Sequence, residues 1–311
     1  MGDIMNCLFC NSTNTTKAGF RRLAIGTIQR YFCNDCGKKF TPEVEDNRST
    51  RESNHQGPRI LYLDIETAPM VVYTWQLKTD YIPASNIITT TYMLSWAAKW
   101  AGESKVMGGV LTPEEAVNHD DSIISKSIHQ LLCETDLAVA YNGDRFDFQK
   151  LNYRFIVNNL TPPSFYRTID PIKSLRRQFG FDSNKMDHVN SELGLDRKTD
   201  TDFNLWRECA SGNQAALTKL HKYNKNDVRI LEDNYLRLRP WMRIHPNVGV
   251  YFDWEGEMCR ICGSKNVREV LDKWAYTTVG KYALYTCPDC GAESMGRHNE
   301  LEKDKRKGLI K

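Results

Sequence analysis

The chain of 311 residues lacks any apolar run near the ~18 residues that a membrane span needs, so no transmembrane helix is expected. Its opening residues, Met-Gly-Asp-Ile-Met-Asn-Cys, have no basic region followed by an apolar stretch, so no secretory signal is expected either. Charge of one sign is also missing. Forty-two Lys/Arg face 39 Asp/Glu, and a net +3 selects no class of partner. The rest of the composition, 41% hydrophobic and 26% charged, is that of a soluble globular protein. The length suits one sizeable domain plus small modules.

Cysteine is what the chain has. Eight of its ten cysteines form four Cys-x-x-Cys pairs: Cys7/Cys10, Cys33/Cys36, Cys259/Cys262 and Cys287/Cys290. The pairs come two and two, with 22 and 24 residues between them. Two short knuckles supply the four thiolates that a tetrahedral zinc ion prefers, and the spacing is that of a zinc ribbon. A disulfide scaffold is the other reading, and the missing secretory signal and the regular pairing weigh against it. The residue after each second cysteine is Asn11, Gly37, Gly263 or Gly291, the residue types that best tolerate positive φ. Cys133 and Cys209 sit among apolar residues and read as inert core thiols. Reduced cysteines place the chain in an intracellular compartment, taken as cytoplasmic.

Residues 1–41 form the first ribbon. Residues 1–40 hold six Lys/Arg against two acids, with Arg21, Arg22, Arg30, Lys38 and Lys39 interleaved with Phe20, Tyr31 and Phe40. Cations beside aromatics suit phosphate contact and base stacking. A solvated basic face on a structural knob is the alternative. The segment Tyr31-Phe-Cys-Asn-Asp-Cys-Gly-Lys-Lys-Phe-Thr41 resembles the N-terminal zinc ribbon of insertion-sequence transposases, which binds DNA. Residues 42–58 are rich in turn formers and read as a flexible linker.

Residues 59–240 read as the main domain. Strands are expected over Arg59–Thr67, Val71–Leu77, Thr91–Trp100, Lys105–Val110 and Leu137–Asn142, and helices over 120–133, 147–160 and 213–238. This order predicts an α/β domain with a mixed sheet. Residues 241–258 connect to the second ribbon, 259–296. That ribbon has no positive bias, and it either packs on the main domain or meets a protein partner. Residues 297–311 form a polar, basic tail expected to be mobile.

Three acidic signals lie on these elements. Asp64 and Glu66 alternate with Leu63 and Ile65 in the first strand, so both carboxylates point to one face. Two like charges at the end of an apolar strand call for compensation, and a divalent metal is the usual one. Asp147 follows Tyr141-Asn-Gly-Asp-Arg-Phe at a strand–helix junction, where a helix cap is the plain alternative. Tyr223 and Asp227 share a helix face at i,i+4, where a surface pair is the alternative.

Together these motifs resemble the three exonuclease motifs of the DEDD superfamily, tyrosine subclass, which has the ribonuclease H-like fold. The nearest likeness is to the proofreading exonuclease domain of family B DNA polymerases and to stand-alone exonucleases related to it. Ile169-Asp-Pro and Lys185-Met-Asp-His-Val-Asn-Ser-Glu-Leu-Gly-Leu195 share in the resemblance, which covers residues 59–240. It implies two Mg²⁺ or Mn²⁺ ions ~4 Å apart that activate water and stabilise the leaving 3′ oxygen. It implies Asp64 as the bridging ligand, Glu66 and Asp227 on the nucleophile side, and Asp147 at the second metal through water. Tyr223 would orient the attacking water, and Asn142 and Phe146 would contact the terminal nucleotide. In the histidine subclass a His stands five residues before the last Asp. That position here is Lys222, which leaves His221 without a role. Asp170 is either a cap before Pro171 or a support of the site.

The resulting expectation is a ribonuclease H-like mixed sheet flanked by helices, plus two zinc ribbons, acting as a metal-dependent 3′-to-5′ exonuclease on single-stranded ends, DNA favoured and RNA possible. A recombinase or transposase is one rival, disfavoured because those enzymes order their acids as Asp, Asp, Glu. A nucleic-acid-binding adaptor with an inactive core is the other.

Overall fold

The computed structural model describes residues 5–23, 26–41 and 57–310, and the side chains of residues 21–28 lie outside that description. The linker expected over 42–58 therefore falls almost wholly outside the described residues, as do the Arg21 and Arg22 side chains. The chain divides into two compact units, Met1–Glu52 and Ser53–Lys311.

The first unit is a three-stranded antiparallel sheet of β1 (Thr15–Leu23), β2 (Gly26–Cys33) and β3 (Lys39–Phe40), in that order. Its core is small: Cys7, Tyr31, Cys33 and Phe40, with the two aromatic rings stacked at 5.8 Å. Asn11 and Gly37 take φ values of 59° and 69°, the left-handed turn expected after each knuckle.

The second unit is built on a five-stranded mixed sheet. Its strands are β4 (Ile60–Thr67), β7 (Met93–Trp100), β8 (Val106–Val110), β9 (Leu137–Val139) and β10 (Arg167–Ile169). The order is β10-β9-β4-β7-β8, with β9 parallel to β4 and to β10, and β7 antiparallel to β4 and to β8. The acid-bearing strand β4 is therefore central. Leu61, Leu63 and Ile65 point to one face, into a core with Phe148, Leu151 and Phe155 of α3 (Asp147–Val157) and Ile124, Ile128 and Leu132 of α2 (Ser122–Cys133). Tyr62 points to the other face, against Val228, Leu231 and Tyr235 of α7 (Gln214–Leu238). The two-residue period of the strand thus feeds two cores and leaves Asp64 and Glu66 beyond Tyr62 on the α7 side. Further helices are α4 (Pro171–Gln178), α5 (Met186–Glu192) and α6 (Phe203–Ala210).

Three features differ from expectation. The strand expected over Val71–Leu77 shrinks to β5 (Val71–Val72), paired with β6 (Ile87–Thr89). Tyr73, Trp75 and Leu77 are 73%, 99% and 109% exposed, so β-prone residues here have no core to bury against. A short helix, α1 (Pro113–Asn118), is held by a capping box between Thr112 and Glu115. The basic tail carries a one-turn helix, α8 (Lys303–Lys307).

The second ribbon is the sheet β11 (Arg268–Thr277), β12 (Gly280–Thr286) and β13 (Glu293–Met295). It packs on the main domain. Val248 N–H donates to the Arg260 carbonyl (2.7 Å), the Arg260 guanidinium donates to the Met242 carbonyl (3.2 Å), and Val248 and Phe252 join the core under α7.

Candidate active site

Asp64, Glu66 and Asp227 offer carboxylate oxygens that all lie within 4.8 Å of one another. Two come from β4 at strand period and the third from α7, the long helix laid across that face. Asp147 approaches from the opposite side of the strand. It does not cap α3: that helix has Phe146 at its cap position without a side-chain bond, and Asp147 Oδ1 instead accepts from the Ile65 N–H (3.1 Å). It is 2% exposed and close enough to Asp64 for their charges to repel. Tyr223 stands one turn before Asp227 and interacts with it through the phenol.

Several partners of these acids carry no signal in the sequence. Lys198, on the loop between α5 and α6, donates to Asp227 Oδ2 (2.5 Å). The indole N–H of Trp206 donates to Glu66 Oε2 (2.9 Å), and its ring meets Tyr223 edge-on at 6.0 Å. Asn224 Nδ2 donates to Asp64 Oδ2 (2.6 Å) and to the Asp64 carbonyl (3.1 Å). Asn224 alone was within reach of sequence reasoning, since it lies at i−3 from Asp227 on the same helix.

The acids sit badly as free charges. Burial raises the pKa of Asp64 to about 7, with Asp227 adding to the rise and Lys198 and Asn224 opposing it. Glu66 rises through burial and the Asp64 charge, and Asp147 through the same two causes. Burial also raises Asp227, against the pull of Lys198. Burial works against the charge on Lys198, but Asp64 and Asp227 outweigh it and its pKa rises. Burial pushes the Tyr223 phenol up to about 12, so it remains a neutral donor at neutral pH. One ammonium cannot balance four carboxylates, and Asp227 Oδ1 is buried without a hydrogen-bond partner among the described residues. A hard divalent cation suits this all-oxygen donor set.

A cavity of about 550 Å³ opens beside the acids, lined by Asp64, Tyr141, Asn142, Arg176, Lys185 and Lys198 among others. Asn142 stands at φ 62°, with its N–H donating to Asp170 Oδ1 (2.8 Å) and its own Oδ1 buried and without a hydrogen-bond partner among the described residues. Asp170 also caps α4 through the Ile172 N–H (3.2 Å). It is thus both a cap and a support of Asn142. Phe146, just before α3, is exposed.

The eight knuckle cysteines form two tetracysteine clusters, Cys7/Cys10/Cys33/Cys36 and Cys259/Cys262/Cys287/Cys290. All are free thiols. Cross-knuckle sulfurs lie 3.6 Å apart at Cys7–Cys36, Cys10–Cys33 and Cys259–Cys290 and 3.7 Å at Cys262–Cys287. Thiolates bound to tetrahedral zinc at about 2.3 Å lie roughly 3.8 Å apart, so the donor sets fit that ion. In the first ribbon Lys38 and Lys39 are exposed, and Lys38 Nζ lies 4.6 Å from the exposed Phe9 ring.

Among the described residues no helix is long and apolar enough to cross a membrane. A family model described as the RNase_H superfamily matches residues 90–238. That stretch contains Asn142, Asp147, Tyr223 and Asp227 and begins after Asp64 and Glu66. Among solved structures, the family B DNA polymerase of the hyperthermophilic archaeon Pyrobaculum calidifontis is similar at 16% identity and a TM-score of 0.44. The match covers 59% of this chain and 25% of that one, so this chain spans about a quarter of the polymerase. No curated protein sequence matches the chain. Ribonuclease H-like nucleases use divalent metals, and the acidic cluster supports nuclease chemistry on that footing. Residues 90–238 of this chain thus match the ribonuclease H superfamily model, and the mixed sheet that they help to form has Asp64 and Glu66 on its central strand β4.

Proposed function

We propose that the chain is a divalent-metal-dependent 3′-to-5′ exonuclease that removes nucleotides from single-stranded ends, DNA before RNA. The observation that carries this reading is the convergence of Asp64, Glu66 and Asp227 beside a cavity lined with cations and amides. Two Mg²⁺ or Mn²⁺ ions would supply water activation and stabilisation of the leaving 3′ oxygen. Asp64, Glu66 and Asp227 would hold them, with Asp147 contributing. Tyr223, neutral and beside Asp227, orients the attacking water by hydrogen bonding. Trp206 holds Glu66 through its indole N–H and leaves the other carboxylate oxygen for a cation. Asn142 and Phe146 meet the terminal nucleotide, and Arg176, Lys185 and Lys198 counter the charge of its phosphates. The two tetracysteine clusters hold one structural Zn²⁺ each. The basic ribbon, through Arg30, Lys38, Lys39 and, from the sequence, Arg21 and Arg22, binds the strand, and the second ribbon's open face remains a surface for a protein partner.

Polarity tests the reading. A single strand labelled at its 5′ end should shorten in a ladder with Mg²⁺ or Mn²⁺, and the same strand labelled at its 3′ end should lose its label as mononucleotide at once. Internal cuts, or a ladder from the 5′ end, would refute it.

A further inference from the structure

A line of polar side chains, Asn224, Ser95 and His221, runs away from Asp64. Asn224 Nδ2 spans the Asp64 carboxylate (2.6 Å) and the Asp64 carbonyl (3.1 Å), so its two protons clamp side chain and backbone together. Asn224 Oδ1 accepts from the Ser95 hydroxyl (3.0 Å), and Ser95 Oγ lies 3.1 Å from His221 Nδ1. Proton counting sets the direction. Ser95 has one hydroxyl proton and gives it to Asn224, so the remaining contact is His221 Nδ1–H donating to Ser95 Oγ. Every link then donates toward Asp64. A flipped Asn224 would set its carbonyl oxygen against the Asp64 carboxylate, so Ser95 fixes the amide in its useful orientation. Ser95 and Asn224 are both fully buried.

The fold makes room for this line. Ser95 is the register partner of Glu66 across β4 and β7, which puts its hydroxyl on the acid-bearing face. The His221 ring lies over Gly108 of β8, where a Cβ would stand 2.5 Å from His221 Cε1 and 2.9 Å from the Trp96 carbonyl. No residue but glycine leaves that space.

We infer that Asn224, oriented through Ser95 and His221, is a positioning residue that fixes the Asp64 carboxylate for divalent-cation binding. With Oδ2 tied to Asn224, the other carboxylate oxygen is presented to the cation without a search over rotamers. The inference rests on the reading of the acids as a metal centre. His221 thereby gains a part in the site without touching substrate or metal.

Calorimetric titration of the zinc-loaded full chain with MnCl₂ tests it. Wild type should bind Mn²⁺ and Asp64→Asn should lose that binding; a wild type that binds none overturns the metal reading and the inference with it. With that reading standing, Asn224→Ala and Ser95→Ala should each weaken Mn²⁺ affinity by about 10- to 100-fold, the range for removing a group that orients a metal ligand. Ser95→Thr, which keeps the hydroxyl, should restore it. A role confined to packing would leave affinity unchanged in Ser95→Ala while lowering the thermal midpoint in chelator. Should the buried variants fail to fold, His221→Ala at a half-buried position decides: it should weaken binding toward the lower end of the same range. Folded Asn224→Ala, Ser95→Ala or His221→Ala with wild-type Mn²⁺ affinity overturns the inference.

Discussion

Lys198 places an ammonium among acids that repel one another. Its Nζ is 2.5 Å from Asp227 Oδ2, and Asp64 and Tyr223 also act on it. Arg197 and the Lys198 N–H hold this loop to the carboxylate of Asp187, with the closest approach 2.6 Å. Removing the ammonium leaves Asp227 buried without its partner. In chelator, Lys198→Ala should lose on the order of 1–3 kcal/mol of stability, nearer the lower figure because the lysine is partly solvated. Mn²⁺ should then raise the thermal midpoint of the variant more than that of wild type, since a bound cation replaces the missing charge. Equal stability of the two proteins in chelator would show that Lys198 is not part of the cluster's balance. Nothing in the run Arg197-Lys198-Thr199 points to this role, because its partners lie 29 residues away in Asp227 and far earlier in Asp64. Asp64 and Glu66, by contrast, were legible: strand period alone puts them on one face. The turn residue Asn11 was legible for the same kind of reason, a local conformation that few side chains accept.

Among the elements, α3 brings Asp147 to β4, and one buried ion pair sets its place. Asp121, fully buried at the start of α2, accepts from Arg154 Nε (2.6 Å) and Nη2 (2.8 Å), from Asn158 Nδ2 (2.8 Å) and from the Met93 N–H of β7 (2.8 Å). It therefore ties α2, α3 and the strand next to β4 at one point. Asp121→Ala leaves Arg154 charged and buried, and urea denaturation should show a loss of about 3–5 kcal/mol. A loss under about 1 kcal/mol would mean that water reaches the guanidinium and that the pair does not fix α3. Helices were legible where apolar residues recur at helical spacing, as in α2 and α7. The strand over Val71–Leu77 was not, because β-propensity reports a side chain's fitness for a half-buried sheet and says nothing of whether a sheet lies beside it. Asp147 shows the same limit. Its position at a helix start left a cap open as the plain alternative to a site acid, while its observed partner, the Ile65 N–H, lies 82 residues away.

The whole molecule is a ribonuclease H-like core with a tetracysteine cluster on either side in sequence. The core's face is acidic at the cluster and cationic around the cavity, whereas the first ribbon has a basic excess in sequence, six Lys/Arg against two acids over residues 1–40. If that ribbon binds the strand, removing residues 1–57 should weaken single-strand binding and flatten its dependence on salt, the logarithmic slope falling by roughly 0.7 for each phosphate that the ribbon had neutralised. Unchanged affinity and slope would leave the ribbon a structural module. The mixed α/β core and the two tetracysteine clusters were legible because Cys-x-x-Cys spacing and strand and helix patterns are local; the packing of the second ribbon through Val248, Phe252 and Arg260 was open as one of two alternatives, since long-range packing is not specified by the spacing. The claim on which everything else depends is that Asp64, Glu66, Asp147 and Asp227 form a divalent-metal nuclease centre. Its most direct test is release of mononucleotides from single-stranded DNA by wild type and Asp64→Asn, each with Mg²⁺ or Mn²⁺ and with chelator. Wild type should release mononucleotides only with metal, and Asp64→Asn that keeps the wild-type thermal midpoint should release none. No release by metal-loaded wild type, or equal release by a folded Asp64→Asn, would contradict the claim.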